Sequence, residues 1–203
     1  MKTLHFVLIV TFSIVISNLR HEDEKSAPAK GDFSSCVVEM TQNNKSVINA
    51  TNAQEKFGDG KITQIGLVVN DIEKASEKWA AILGFDEVPK PIITDEYEKA
   101  HTQFEGKPSD ARAKLAFFRL ENLTIELIEP VGKKSTWYEH LQKHGEGIHH
   151  IAFNVDGMEQ NIKLLEKNGG ELQQKGDFTG GSYSYINMPE VGVIFELLTS
   201  TGD

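Results

Sequence analysis

The chain has 203 residues, of which 39% are hydrophobic and 25% charged, as expected of a soluble protein with one main globular domain. Its 30 acidic and 21 basic residues give a net charge of −9, which argues against a nucleic-acid-binding protein, because such proteins carry a basic surface. The single cysteine excludes both an intrachain disulfide framework and a cysteine-rich zinc site.

The N-terminal part of the chain differs from the rest. An apolar run from Leu4 to Ile16 follows Lys2 and is too short to span a membrane. Residues 1–17 therefore predict a signal peptide or, alternatively, an uncleaved N-terminal anchor, so we expect an exported (periplasmic or secreted) or membrane-anchored protein whose membrane contact is limited to this segment. Residues 18–60 are polar and poor in aromatic residues, which predicts a disordered tether.

Two similar segments begin the remaining domain. Residues 64–73 (QIGLVVNDIE) resemble residues 150–159 (HIAFNVDGME), and each is an apolar run suited to a buried strand followed by the start of a helix. The polar–acidic pairs Asn70–Glu73 and Asp156–Glu159 have the spacing of a helix capping box. Behind each pair, apolar residues recur at helical spacing: Ile72, Ala75, Trp79, Ala80 and Leu83 in the first, and Met158, Ile162 and Leu165 in the second.

Each half also closes with a similar apolar strand, at residues 124–128 and 194–198. Two further strands fit between helix and closing strand, at about 87–93 and 113–120 in the first half and 171–175 and 182–187 in the second. The first half is longer, and its polar stretch 94–110 is the expected insertion. The sequence thus predicts an α+β domain over residues 61–203. Two paired βαβββ modules, at about 61–130 and 147–198, would form a cupped sheet or half-barrel pair behind the polar tether.

Strand alternation predicts where the polar residues of this sheet point. The apolar residues of each opening strand must pack under its helix, so Gln64 and His150 face the opposite, concave side. By the same rule Glu126 and Glu196 project from the concave side of the closing strands. His149, as the neighbour of His150, is expected on the helix side, as a structural residue or as a residue that supports the ligands. If the halves pack face to face, the pair Gln64 and Glu126 of the first half meets the pair His150 and Glu196 of the second.

A divalent metal site is the chemistry that these residues favour. Two carboxylates, one imidazole and one amide oxygen form a plausible ligand set. Burying both carboxylates without a cation would cost several kcal/mol each or force one to protonate. The alternatives are a hydrogen-bonded structural histidine and glutamates on exposed strand edges. Repeat-equivalent positions in both halves argue against these alternatives.

These motifs resemble a known family. Residues 145–153 (GEGIHHIAF), 125–130 (IELIEP) and 192–197 (GVIFEL) are similar to the vicinal oxygen chelate superfamily of glyoxalases, bleomycin-resistance proteins and dioxygenases, above all to its methylmalonyl-CoA epimerase branch. The resemblance spans about residues 61–198. It implies a divalent metal (Zn, Co, Ni or Mn) on the concave face, held by Gln64, Glu126, His150 and Glu196. The family usually has histidine where this chain has Gln64, and an amide is a weaker ligand than an imidazole.

The resemblance also implies an activity. Iron dioxygenases need two histidines and one carboxylate, which this set does not offer, so dioxygenase chemistry is excluded. The epimerase branch implies proton abstraction next to a carbonyl of a methylmalonyl-type thioester, with Glu126 or Glu196 as the catalytic base. The glyoxalase branch implies a lyase acting on a hemithioacetal, as in lactoylglutathione lyase. In either branch the partner is a small-molecule carbonyl or thioester substrate.

Two alternatives to an enzyme remain open at this stage. One is a non-catalytic ligand-binding or resistance protein of the same fold, whose cup would be lined by aromatic residues: Phe104, Phe117, Tyr138, Tyr183 and Tyr185. The other is a structural repeat that binds no ligand. The resemblance is compatible with a site inside one chain and with a site across a homodimer.

Overall fold

The structure, a computed structural model, describes residues 57–200, which form ten strands and four helices. The predicted signal or anchor segment at 1–17 and the tether up to residue 56 lie outside the described residues. Within residues 57–200, none of the helices is long and apolar enough to cross a membrane. Phe57, at the start of this range, packs edge-on against Phe153 with a ring-centroid distance of 4.9 Å.

The strands and helices follow one another in two groups. The first module consists of β1 (Ile62–Val68), α1 (Ile72–Leu83), β2 (Ile92–Ile93), β5 (Arg112–Arg119) and β6 (Thr124–Val131). Between β2 and β5 lie α2 (Tyr97–Ala100), β3 (Gln103–Phe104) and β4 (Lys107–Pro108). Helix α3 (Thr136–His144) joins the modules. The second module consists of β7 (Gly147–Asn154), α4 (Met158–Lys167), β8 (Glu171–Phe178), β9 (Gly181–Met188) and β10 (Val193–Ser200).

All ten strands belong to one mixed sheet in the order β2-β5-β6-β1-β7-β10-β9-β8-β3-β4. At its centre β1 runs antiparallel to β7. The closing strand β6 lies parallel to β1, and β10 lies parallel to β7. Parallel neighbours need a crossover connection, which α1 and α4 begin in their respective modules. The sheet curls into a half-barrel, and the predicted α+β class is confirmed.

The outer face of the sheet is buried under α1 and α4. Ile72 and Ala80 of α1 pack against Phe118 and Leu127 of the sheet. Ile162 and Leu165 of α4 pack against Phe153, Ile186 and Leu197. Burying a leucine, isoleucine or phenylalanine side chain contributes about 2 kcal/mol. The apolar residues predicted at helical spacing thus pack against the predicted helix side of the strands. The strand residues that alternate with these apolar ones face the concave side.

Both predicted helix caps are wrong by one residue. Asp71, not Asn70, caps α1, because its side chain accepts a hydrogen bond from the backbone N–H of Lys74 at 3.0 Å. The cap position of α4 is Gly157, not Asp156, and it offers no side-chain cap. Gly157 has φ 77°, a left-handed conformation that suits glycine and extends the loop by one residue.

The middle of the first module also differs from the prediction. The strand expected at 87–93 shrinks to Ile92–Ile93, because Pro89 and Pro91 cannot donate ladder hydrogen bonds. The insertion expected at 94–110 contains α2, β3 and β4. Its strand β3 pairs with β8 of the second module, Gln103 opposite Lys175, so the insertion extends the far edge of the sheet.

Helix α3, for which the sequence analysis predicted no separate element, packs on the concave face. Its Trp137 is 4% exposed and lies in an apolar cluster with Val68, Ile128 and Tyr185. Gln174 holds the start of this helix in place by accepting a hydrogen bond from the backbone N–H of Thr136 at 2.9 Å. One end of the cup is therefore closed by α3.

Candidate metal centre

The four central strands each contribute one polar side chain to the concave face. Gln64 comes from β1, Glu126 from β6, His150 from β7 and Glu196 from β10. Strand register explains why they meet: Gly66 of β1 lies opposite both Glu126 and His150, and Ala152 of β7 lies opposite both Gln64 and Glu196. We call these four side chains the four-residue cluster. All of them belong to one chain, so the cluster needs no second copy to be complete.

Short polar contacts connect the four-residue cluster. The Nε2 atom of Gln64 donates hydrogen bonds to the Oε2 atoms of Glu126 at 2.7 Å and of Glu196 at 3.3 Å. The Nε2 atom of His150 lies 3.0 Å from Glu196 Oε2 and 3.6 Å from Glu126 Oε2. Glu126 is 5% exposed, Glu196 is 4% exposed and His150 is fully buried, whereas Gln64 is partly exposed. The cluster is thus nearly closed to solvent, and Gln64 is its most exposed member.

Gly66 makes room for the imidazole of His150. A Cβ atom at position 66 would collide with Cε1, Nδ1 and Nε2 of that ring. Since His150 lies directly opposite Gly66 on the neighbouring strand, only a residue without a side chain lets the ring lie flat across β1. The requirement is steric, because Gly66 is not among the glycines with positive φ.

The predicted position of His149 on the helix side is wrong. The pairing of β1 with β7 shifts register between Gly66 and Leu67, whose partners are His150 and Ile148, so His149 is the extra residue of a β-bulge. A bulge interrupts strict alternation. The His149 ring consequently lies 5.2 Å from the ring of Tyr185, and its Nδ1 atom lies 3.0 Å from Nδ1 of His150.

This histidine pair has a consequence for the cluster. An imidazole whose Nε2 lone pair faces a cation carries its proton on Nδ1, and such ligands usually donate that proton to a neighbouring acceptor. His149 Nδ1 is placed to be the acceptor for His150. Burial, followed by the neighbouring His150, lowers the pKa of His149 well below its ordinary value, so the acceptor ring stays neutral.

Burial also dominates the electrostatics of Glu126. It raises the pKa of Glu126 well above its ordinary value, and the negative charge of Glu196 adds to this effect. Burial also raises the pKa of Tyr185, so its phenol stays neutral. The ring centroids of Tyr185 and His150 are 5.0 Å apart. Two ionised carboxylates repel each other when both are buried, and a cation between them would relieve that repulsion.

The donor set fits a divalent cation. Ligand atoms of Glu126, His150 and Glu196 all lie within 4.8 Å of one another. Two ligands bound at about 2.1 Å are separated by roughly 3 to 3.5 Å, close to the measured 3.0 and 3.6 Å from His150 Nε2 to the two carboxylates. Two carboxylates balance a charge of +2. Gln64 presents its N–H group to the acids, and half a turn of the amide would present Oε1, a ligand for hard cations.

Aromatic residues surround the cluster on the concave face. Phe117 lies opposite Glu126, and Tyr185 lies opposite Glu196, so both share the face with these acids. Tyr183 stands two residues before Tyr185 on the same strand and stacks on Trp137 with a ring-centroid distance of 6.2 Å. Trp137 is the neighbour that sequence reasoning missed. His149 was predicted as a structural or supporting residue, but on the wrong face of the strand.

Comparison with known proteins identifies the family. Residues 63–186, more than half of the chain, match the model of the glyoxalase/bleomycin resistance protein/dioxygenase superfamily. The chain is 30% identical over 111 residues to the mitochondrial methylmalonyl-CoA epimerase of Dictyostelium discoideum and 28% identical over 109 residues to that of Homo sapiens. These alignments cover 54% and 53% of the chain, and 58% and 53% of the respective epimerases. The chain thus spans about half the length of these relatives.

Other similar proteins cover more of the chain. Protein YqjC of Bacillus subtilis, described as uncharacterized, is 24% identical over 147 residues, which are 70% of this chain and 94% of that protein. A solved Streptomyces coelicolor methylmalonyl-CoA epimerase in complex with 2-nitronate-propionyl-CoA is 21% identical with a TM-score of 0.48, over 70% of this chain and 98% of that one. The family match, together with the fold, leads to one conclusion: the chain belongs to the glyoxalase/bleomycin resistance protein/dioxygenase superfamily.

Proposed function

We propose that this domain is a metal-dependent enzyme that abstracts a proton next to a carbonyl group, as an epimerase or isomerase does. The observation that carries the proposal is the four-residue cluster, in which two carboxylates and an imidazole lie nearly dry within 4.8 Å of one another. The sequence similarity to methylmalonyl-CoA epimerases supports this reaction class. The proposed substrate is a 2-methylmalonyl-type thioester.

In this proposal each residue of the cluster has a defined task. A bound divalent ion, with Zn, Co, Ni and Mn as the candidates, supplies Lewis-acid stabilisation of the developing enediolate. Gln64 and His150 act only as ligands. Glu126 and Glu196 come from different modules, so one can remove the proton from one side of the substrate and the other can return it from the opposite side. The buried surroundings exclude water from the acids during this exchange.

The same chemistry allows a lyase as a variant of this proposal. A hemithioacetal carries a hydroxyl and a carbonyl oxygen on neighbouring carbons and a proton next to that carbonyl, so a lactoylglutathione lyase-like reaction would use the same four residues. The two reactions differ in where the proton returns. A proton that comes back to its own carbon gives an epimer, whereas one that moves to the neighbouring carbon gives the lyase product.

A ligand-binding protein without catalysis is the second candidate, and one observation favours it. Gln64 Nε2 already donates to both acids, at 2.7 and 3.3 Å, and His150 Nε2 lies 3.0 Å from Glu196. These contacts satisfy the acids in part without a cation. In that case the aromatic wall formed by Phe117, Tyr183 and Tyr185 would receive the ligand.

Metal content and proton exchange together test the proposal. We expect the purified protein to hold one divalent ion per chain by elemental analysis and to lose thermal stability in EDTA. In D2O, the metal-loaded protein should exchange the C2 proton of a methylmalonyl thioester, followed by NMR. Glu196→Gln should lower exchange by about 100-fold or more, because it removes a ligand and a candidate base.

Glu190→Gln is the matched control, since Glu190 is exposed and remote from the cluster in the β9–β10 turn. It should keep both metal and exchange. Full exchange in Glu196→Gln would refute the assignment of the site. A folded wild-type protein that neither retains metal nor exchanges the proton would favour the ligand-binding protein instead.

A further inference from the structure

The two ends of the concave face differ in access. At one end Val68 and Ile128 are fully buried beneath Trp137 of α3. At the other end, where β1 begins, Ile62 is 44% exposed and Thr124 is partly exposed. Within the part of the chain that the structure describes, the end of the sheet that includes Thr124, which we call the open end, is therefore the more accessible of the two.

Arg119 stands at this open end and faces the cluster side of the sheet. It pairs with Thr124 on β6, and Thr124 pairs with Gln64 on β1, so the three residues form one row across the strands. Adjacent strands are about 4.8 Å apart, which puts the backbone of Arg119 about 10 Å from that of Gln64. Its guanidinium carbon lies 5.6 Å from the centre of the Phe117 ring. This contact directs the side chain toward Phe117, which lies opposite Glu126.

Arg119 is the only arginine or lysine that faces the concave side from the six strands β1, β5, β6, β7, β9 and β10. The other two basic residues of these strands, Arg112 and Lys114, point to the opposite side. Arg112 lies 3.4 Å from Glu96, and Lys114 lies 3.0 Å from Glu129. Within residues 57–200, Arg119 itself forms no ion pair and is exposed.

The charge balance of the open end follows from this arrangement. A divalent cation would neutralise Glu126 and Glu196, which leaves the charge of Arg119 uncompensated on the concave face. A guanidinium pairs best with a carboxylate, because two parallel N–H groups match its two oxygens. The open end is therefore complementary to a substrate that carries an anionic group outside the metal-binding part.

We propose that Arg119 binds a carboxylate of the substrate at the open end while two adjacent oxygens of the same molecule reach the four-residue cluster. The substrate class is then a carbonyl or thioester compound with a further carboxylate remote from its chelating oxygens, which in a 2-methylmalonyl-type thioester would belong to the thiol part. This inference rests on the proposed metal centre and adds a specificity-determining residue to it.

Two hydroxamates of equal length provide the test. N-hydroxybutanamide and N-hydroxysuccinamic acid both chelate a metal through adjacent oxygens, but only the second ends in a carboxylate. With the full chain loaded with Co²⁺, titration calorimetry and the visible spectrum of the metal report binding of each. We expect the carboxylate-bearing compound to bind roughly tenfold more tightly, and this preference to shrink in high salt.

Arg119→Gln should abolish most of the preference, whereas Arg112→Gln, on the other face of the same strand, should retain it. Equal affinities of the wild-type protein for the two hydroxamates, or a preference that survives Arg119→Gln, would overturn the role of Arg119 and leave the metal centre standing. Binding of neither compound, with no change in the Co²⁺ spectrum, would overturn the metal centre and this inference with it.

Discussion

The two modules build the cluster from corresponding strand positions but with different side chains. Each opening strand places a small residue opposite the ligand of the other module: Gly66 lies opposite His150, and Ala152 lies opposite Gln64. Each small residue also lies opposite the glutamate of its own closing strand. The imidazole of His150 therefore extends over Gly66, and the amide of Gln64 extends over Ala152.

A ligand and the residue that faces it on the next strand must therefore fit each other sterically. A ring that lies flat on the next strand leaves no space for a methyl group, as the collision predicted for a Cβ at Gly66 indicates. The flexible side chain of Gln64 reaches the acids although Ala152 has a methyl group. Both opening strands have a bulge beside their ligand, at Thr63 and at His149. Only the module that offers the stronger ligand, His150, places a supporting histidine there. Substitutions in one module at a time can test each part of this comparison.

The largest effect is expected at Gly66. Gly66→Ala should lower metal affinity by about 100-fold or more, since the new methyl group displaces the His150 ring from the acids. Competition with a chelator measures the affinity, and circular dichroism shows whether the fold persists. Ala152→Gly makes the matched change in the other module and should retain metal, at a stability cost of about 1 kcal/mol. Equal losses in the two variants would contradict the comparison.

The face of the four residues of the cluster could be predicted from sequence alone, because apolar residues such as Leu127 and Leu197 alternate strictly with Glu126 and Glu196. That alternation was enough to place the four residues of the cluster on one side. It could not place His149, because a bulge is set by pairing with a distant strand rather than by local pattern. The position of α3 in the cup likewise depends on long-range contacts of Trp137.

The helix caps, and the pairing of the insertion with the second module, depend on contacts that local sequence patterns do not encode. Asn70 and Asp71 are both good caps, and the choice between them depends on the surrounding fold, in which Glu146 accepts a hydrogen bond from the Asn70 backbone. The repeat offset predicts the insertion at residues 94–110 but does not indicate where it packs. Its pairing of Gln103 with Lys175 is a contact between modules that no local signal encodes.

The second prediction concerns a stronger ligand, histidine, in the first module. Gln64→His should raise metal affinity by about tenfold, but only when Ala152→Gly is present to make room for the new ring. In the wild-type background the gain should be much smaller, because the Ala152 methyl group faces position 64. A double-mutant cycle of chelator-competition constants measures this coupling. Additive effects of the two substitutions would contradict the proposed pairing of ligand and facing residue.

The third prediction concerns the acid of the first module in the metal-free protein. The pKa of Glu126 is raised above the ordinary 4.5, so the folded state binds its proton more tightly than the unfolded state does. The stability from this proton is complete below pH 4.5 and is lost as the pH rises through the raised pKa. Glu126→Gln should therefore raise the melting temperature by several degrees at pH 8 in EDTA and change it little at pH 4.

Metal should reverse this result, since Glu126→Gln also removes a ligand and lowers the stability of the loaded protein. The exposed Glu121→Gln is the control and should change neither melting curve. A metal-free Glu126→Gln protein that is no more stable than the wild type at pH 8 would show that Gln64 and His150 already compensate the buried charge.

The smallest effect is expected at the helix caps, where the modules also differ. Asp71 caps α1 with its side chain, whereas α4 begins at Gly157 without such a bond. Asp71→Ala should lower the melting temperature by a few degrees, while Asp156→Ala, at the position that the sequence pattern favoured, should leave it unchanged. The hydrogen bond from Lys74 lowers the pKa of Asp71 below its ordinary 3.8, so its stabilisation is present above pH 3.8 and disappears as the pH falls through the lowered value. Thermal melts at pH 7 and pH 2.5 measure both effects, and metal affinity should stay constant because the cap lies on the outer face of the sheet.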